Sequence, residues 1–304
     1  MKLKTKDLLT LNELDKKEIE EILNNAIKLK KELKAGIYKP LLKNKTLAMI
    51  FQKSSTRTRV SFETGMYQLG GHALNLSFEE LQLARGETIG DTAKTLSRYV
   101  NIIMARVYSH EEVEILAKNA TVPVINGLSD SFHPCQILAD LMTIKEKKKN
   151  LSGLKLALVG DGNNVCNSMI YGCTKTGIDI SIATPKGYEP DRNVVKESKK
   201  VGEIQLLNDP VLAVTDADVV VTDTFVSIHH QSTDRTKDFL PKFQVNSSLM
   251  KKAKPDAIFL HCLPAKRGQE VTNSVIDGPQ SAVWDEAENR LHAQKSLMIS
   301  LLRV

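Results

Sequence analysis

Between residues 13 and 34 apolar side chains recur every three to four positions among charged ones, the period of a helix that buries one stripe. From residue 46 the period changes. Short β-branched and aliphatic runs at Thr46–Phe51, 72–76, Ile102–Arg106 and 122–126 alternate with helical patterns near 57–69, 87–98 and 111–119. Such alternation implies a parallel sheet covered on both faces. A helical stretch then runs from Pro134 to about Lys148, with proline in its first turn, and Asn150-Leu-Ser-Gly153 breaks it. A second series of buried runs follows at 154–160, 178–183, Ile204–Leu207, Val219–Thr222 and 257–261. Residues 285–302 place Leu291, Leu297, Met298 and Leu301 at helical spacing as a closing helix. The pattern predicts an α/β fold of two domains, each a parallel sheet flanked by helices. The boundary falls inside the 134–148 helix, giving domains 1–140 and 141–284.

Composition narrows the class. With 304 residues, 41% apolar and 26% charged, the chain is long enough for one large or two medium cores. No apolar run approaches the roughly 20 residues of a membrane span, and no signal-peptide core follows Met1-Lys-Leu-Lys, so a cytoplasmic protein is expected. Cys135, Cys166, Cys173 and Cys262 are scattered without a Cys-x-x-Cys pair, which argues for reduced thiols over disulfides or structural zinc. The net charge of +6 fits nucleic-acid binding or a pocket for anionic metabolites. Lys145-Glu-Lys-Lys-Lys149 ends a helix, where cations complement the dipole. The sparse aromatics do not interleave with basic residues, so no stacking platform for single strands is expected.

Candidate chemistry centres on Phe51-Gln-Lys-Ser54-Ser55-Thr56-Arg57-Thr58-Arg59-Val-Ser-Phe62, a strand-to-helix turn. The unpaired N–H groups of a first helical turn point outward, and the dipole favours an anion there. Ser54, Ser55, Thr56 and Thr58 add hydroxyls, and Arg57 and Arg59 add forks that suit phosphate bidentately. The bland alternative is an N-cap with surface arginines. A second glycine-bearing turn, Gly160-Asp-Gly162-Asn-Asn164, stands where a dinucleotide fingerprint would lie. Val165 replaces its third glycine, and Ile182-Ala-Thr184 stands where the ribose-binding acid belongs.

Ser-Thr-Arg-Thr-Arg at 55–59 resembles the carbamoyl phosphate signature of the aspartate and ornithine carbamoyltransferases, and the resemblance extends over nearly the whole chain. His133-Pro-Cys135-Gln136 matches the family's His-Pro-x-Gln, in which His and Gln hold the carbonyl and amino ends of carbamoyl phosphate. Arg106, closing its strand, resembles the arginine that polarises the same carbonyl. Gln82, in Leu81-Gln-Leu-Ala-Arg-Gly-Glu-Thr88, aligns with a loop that reaches a neighbouring subunit's site, which implies a homotrimer. His261-Cys-Leu-Pro264 resembles the ornithine-type His-Cys-Leu-Pro, placing Cys262 and Leu263 at the reacting group, and Arg290 matches an arginine of the closing helix.

On the acceptor side the resemblance assigns Asn164 to the α-carboxylate and Asp223 and Ser227 to the α-amino group. Phe225, Ile228 and His229 replace the family's Trp, Met and Gly; the Met contact is through backbone, so Ile228 can keep it. The resemblance thus implies carbamoyl transfer from carbamoyl phosphate to the side-chain amine of L-ornithine, giving citrulline and phosphate, in a cleft between domains and with the closing helix packed back on the first. Ser55, Thr56, Arg57, Thr58, Gln82, Arg106, His133, Gln136, Cys262, Leu263 and Arg290 would bind carbamoyl phosphate. Asn164, Asp223, Ser227 and Ile228 would bind the acceptor, and Arg106, His133, Asp223 and Cys262 would act in catalysis. Neither a metal nor an organic cofactor is implied. Putrescine, an acylated ornithine or aspartate stay open as acceptors, and a non-catalytic anion- or nucleic-acid-binding protein is the distant alternative.

Overall fold

In the computed structural model, which describes residues 3–226 and 235–303, the apolar runs become strands of two separate sheets. Two units divide the chain, Met1–Met142 with Asn289–Val304, and Thr143–Glu288.

The first unit opens with α1 (Lys16–Lys34), whose start is fixed by a capping box between Asp15 and Glu18. Then come β1 (Thr46–Phe51), α2 (Thr56–Gln68), β2 (His72–Ser77), α3 (Ile89–Tyr99), β3 (Ile102–Arg106), α4 (His110–Asn119), β4 (Val124–Leu128) and the first half of α5 (Pro134–Lys148). The strands pair in parallel in the order β2-β1-β3-β4. Chain direction across the sheet reverses between β1 and β3. In open parallel sheets, that reversal leaves a crevice at the carboxyl ends where ligands bind.

β4 starts two residues later than its apolar run suggests. Pro123 cannot donate to a ladder, whereas Asn126 stays in the strand although polar, because its amide bonds the Leu9 carbonyl. The register slips between Ala105 and Arg106, so Arg106 faces Leu128 while Ala105 faces Asn126, leaving Gly127 as the bulged residue. A Cβ at Gly127 would meet Met104 Sδ and come close to the Ala105 carbonyl, so any larger residue there makes the Met104 side chain shift.

The second unit holds β5 (Lys155–Val159), α6 (Asn164–Thr176), β6 (Asp179–Ala183), α7 (Arg192–Ser198), β7 (Ile204–Leu207), α8 (Pro210–Val214) and β8 (Val219–Thr222). It continues through α9 (Thr236–Phe239), α10 (Ser247–Met250), β9 (Ile258–Leu260), α11 (Asn273–Ile276) and the first turns of α12 (Val283–Leu302). Its sheet is also parallel, in the order β7-β6-β5-β8-β9, with the reversal between β5 and β8. The core packs Phe225, Phe239, Phe243 and Phe259 with the valines of β5 and β8.

From Asn289 onward α12 belongs to the first unit. Ser296 Oγ donates to the Ile22 carbonyl at 2.8 Å, and Lys30 Nζ donates to Asn289 Oδ1 at 2.7 Å. Residues 285–288 belong instead to the second unit, where Glu286 accepts the His261 N–H at 2.8 Å, so the chain rejoins the first unit only at Asn289. Among the described residues no helix is long and apolar enough to cross a membrane.

Candidate active site

In the first unit, the site is built on the carboxyl ends of β1 and β3. β1 ends at Phe51 and α2 begins at Thr56, with Ser55 as N-cap accepting the Thr58 N–H at 3.3 Å. The Ser55 hydroxyl is therefore already engaged, and the remaining first-turn amides face outward with the dipole. Thr58 is 1% exposed. Its hydroxyl oxygen accepts from two guanidinium groups, Arg106 Nη1 at 3.4 Å and Arg290 Nη2 at 3.3 Å. Arg106 is aimed there from the bulged end of β3, and Arg290 from α12. Arg290 also donates from Nη1 to Gln136 Oε1 at 2.6 Å.

His133 stands at the entrance of α5, on a turn tied down by Asn126, whose amide reaches Ser129 Oγ and the Phe132 carbonyl. It is 5% exposed. Burial, reinforced by Arg290, Arg106 and Arg57, holds its imidazole well below the usual range, so at neutral pH the ring is uncharged. An uncharged ring among three guanidinium groups offers a hydrogen bond without adding to the charge already present. The two arginines of the turn diverge. Arg57 acts on His133, whereas Arg59 pairs with Glu63 at 3.5 Å and lines a cavity of about 810 Å3 with Ser54, Ser55, Thr56 and β2 residues. Gln82 is exposed on the 82–85 turn, and no hydrogen bond joins it to the Thr58 cluster.

In the second unit the turn after β5 and the end of β8 come together. Asn163, not Asn164, makes the link. It caps α6 by accepting the Val165 and Cys166 N–H groups at 3.0 and 3.1 Å, and its Nδ2 donates to Asp223 Oδ2 at 2.8 Å. Asn164 is buried as the first residue of α6, with its Oδ1 3.0 Å from the Val165 N–H. An Asn before an apolar run is an N-cap signal; its second bond depends on the sheet and could not be read from sequence. Cys262 Sγ donates to Asp223 Oδ1 at 3.2 Å, so Asp223 is met from both sides. Asp161, on the same turn, pairs with Arg235 at 3.0 Å. Burial, with Asp223 nearby, pushes the Asp161 carboxyl up to about 6 against the opposing pull of Arg235. Ser227, Ile228 and His229 lie outside the described residues.

The loop that carries Cys262 is anchored from beneath. The Leu263 N–H donates to His261 Nδ1 at 2.9 Å, which leaves the ring proton on Nε2, where it meets Glu270 Oε1 at 3.1 Å. Glu270 also accepts the Lys266 N–H. Leu263 sits at φ +56°, in the left-handed region, held by its bond to His261. Asp223, His261 and Cys262 bring one ligand atom each within 4.8 Å of one another. With both ring nitrogens of His261 committed to protein partners, this trio serves hydrogen bonding better than metal ligation.

Gly162 explains the dinucleotide-like turn. Its N–H bonds the Tyr188 carbonyl at 2.9 Å, and a Cβ there would run into the backbone of Tyr188, Glu189 and Pro190. The glycine admits the protein's own chain.

Comparison with known proteins gives the family. Residues 6–146 match the carbamoyl-P binding domain, and residues 152–301 the Asp/Orn binding domain, of the aspartate/ornithine carbamoyltransferase models. An ornithine carbamoyltransferase of Cenarchaeum symbiosum is 60% identical over 99% of both chains. One from Pyrococcus furiosus named anabolic is 58% identical over 96% of this chain and 95% of its own. The solved structure of ornithine carbamoyltransferase from Pyrococcus furiosus superposes with a TM-score of 0.94, at 57% identity over 98% of this chain and 97% of that one. Matched along both units, the chain belongs to the aspartate/ornithine carbamoyltransferase family.

Proposed function

We propose that the protein transfers the carbamoyl group of carbamoyl phosphate to the side-chain amine of L-ornithine, giving L-citrulline and phosphate. The observation that carries the reading is the convergence of Arg106 and Arg290 on Thr58, at the amino end of α2. In this reading Ser55, Thr56, Arg57 and Arg290 balance the charge of the leaving phosphate. Arg106, His133 and Thr58 stabilise the oxyanion of the tetrahedral intermediate, and Gln136, Cys262 and Leu263 hold the carbamoyl group. The amine lone pair forms the new C–N bond, the bond from carbon to the bridging oxygen breaks, and the departing phosphate takes the proton. With a solution pKa of about 10.4, only about one amine in 10³ is neutral at pH 7. Asp223 and Cys262, already in contact, select and orient that form, while Asn164, Asp223, Ser227 and Ile228 hold the amino-acid end of the acceptor.

The first unit is then the carbamoyl phosphate-binding domain and the second the ornithine-binding domain. The exposed position of Gln82, and the exposed Val60 and Tyr67 on α2, support a homotrimer in which Gln82 serves a neighbouring copy's site. The name anabolic carried by the Pyrococcus furiosus relative supports a place in arginine synthesis.

The test is phosphate release and product formation from carbamoyl phosphate with L-ornithine, putrescine, N-acetylornithine and L-aspartate in turn. A kcat/KM for ornithine far above the rest is expected. Preference for another amine overturns the acceptor, turnover with none overturns the reaction, and a rate with no ionisation between pH 6 and 9 overturns the selection of a neutral amine.

A further inference from the structure

Asp140 lies one helical turn after Gln136 on α5, and both are no more than 1% exposed. Gln136 Nε2 donates to Asp140 Oδ1 at 2.8 Å, and on its other side Gln136 Oε1 accepts from Arg290 Nη1 at 2.6 Å. The amide is thus pinned between a carboxyl oxygen and a guanidinium that can only donate. A primary amide without such neighbours can turn over and exchange its donor and acceptor ends. Here the –NH2 end is drawn back along the helix toward Asp140, and the oxygen faces the Arg290–Thr58 cluster. An amide oxygen accepts two hydrogen bonds, so it can serve Arg290 and a ligand N–H together.

We infer that Asp140 is a positioning residue that sets carbamoyl selectivity: by holding the Gln136 amide, it presents an acceptor to the –NH2 of carbamoyl phosphate. This deepens the proposed reaction and rests on it. Carbamoyl and acetyl phosphate share the phosphate and the carbonyl and differ only in –NH2 against –CH3. The phosphate contacts of α2, Arg57 and Arg290, and the carbonyl contacts of Arg106 and His133, cannot tell them apart. An acceptor held in place can, because a methyl group opposite it leaves that acceptor desolvated and unpaired. With Asp140 gone the –NH2 end of the amide loses the carboxyl that holds it, so carbamoyl phosphate loses its extra bond while acetyl phosphate loses nothing.

The experiment titrates the intact protein, without acceptor, with carbamoyl phosphate and separately with acetyl phosphate, comparing wild type with Asp140→Leu, which keeps the approximate shape and removes the acceptor. The expected result is a Kd for carbamoyl phosphate raised about tenfold, as for one lost hydrogen bond, and a Kd for acetyl phosphate within about twofold of wild type. Asp140→Asn, which keeps a carbonyl in place, is expected to recover most of the loss. Equal weakening of both ligands would assign Asp140 to the phosphate site or to general packing, and no change in either would mean that the amide needs no support; both overturn the inference. If Asp140→Leu does not fold, Asp140→Glu, which moves the acceptor by one methylene, decides by the same ratio. Wild-type turnover tests the reaction separately, so failure of carbamoyl transfer and failure of this inference are read in different measurements.

Discussion

Removing Glu270 should loosen the Cys262 loop from below. Glu270 is fully buried, and its Oε1 serves both His261 Nε2–H and the Lys266 N–H. In Glu270→Ala the His261 N–H, itself fully buried, is stranded at a cost of about 1–3 kcal/mol. Lys266 is exposed, so its N–H reaches water and loses only about 1 kcal/mol. Deleting four buried atoms adds a cavity cost of about 1 kcal/mol, partly offset by losing a carboxyl whose Oε2 has no partner among the described residues. The sum is about 3 kcal/mol, and at about 2–4 °C per kcal/mol the midpoint should fall by roughly 6–12 °C. Glu270→Gln keeps an oxygen acceptor and should cost about 1 kcal/mol.

The assay is calorimetry of both variants at one protein concentration, with kcat measured well below the transition. Activity should fall more in the Ala than in the Gln variant, because His261 also holds the Leu263 N–H beside Cys262. A Glu270→Ala midpoint within 1 °C of wild type would refute the reasoning. A Gln variant as damaged as the Ala variant would show that charge, not the acceptor, supports the loop.

Three further outcomes follow from the geometry. Burial raises the Asp161 carboxyl to about 6 from 3.8, so its protonated form favours the fold. That contribution is full below pH 3.8 and lost as pH rises through about 6; Asp161→Asn should remove the slope, gaining on wild type by about 3 kcal/mol between pH 4 and 8 in urea titrations. Gly127→Ala drives a Cβ into Met104 Sδ beside the bulge that aims Arg106. It should cost about 1–3 kcal/mol in denaturant and lower kcat more than KM. Arg290→Lys cannot reach Gln136 and Thr58 at once, and kcat/KM for carbamoyl phosphate should fall roughly 10²–10³-fold; a loss under threefold would remove Arg290 from the site.

The central strands were legible because parallel strands covered on both faces are near-continuous apolar runs, as in β1, β3, β5 and β8. The residues around Thr58 were legible for a different reason. They sit at strand ends and helix starts, where the local pattern alone locates a side chain, and the motif resemblance supplied the rest. Asn163 and Glu270 were not, since each acts through a partner that the fold brings close, Asp223 and His261; Asp140 stands only one helical turn from Gln136, but the spacing alone does not say that the two side chains bond. The Gly127 bulge was hidden because it depends on how Met104 packs in the neighbouring strand, which no local window contains.

Gly162 bears on how a scaffold of this kind could be re-engineered. The space above the β5–α6 turn, where a nucleotide's pyrophosphate would rest, is filled by Tyr188, Glu189 and Pro190, locked by the Gly162-to-Tyr188 hydrogen bond. Restoring the missing third glycine at Val165 would therefore create no nucleotide pocket. A designer would have to excise or reroute that three-residue strap first, and a sequence screen for nucleotide enzymes that scores glycines alone will keep retrieving chains whose glycines are already spent on themselves.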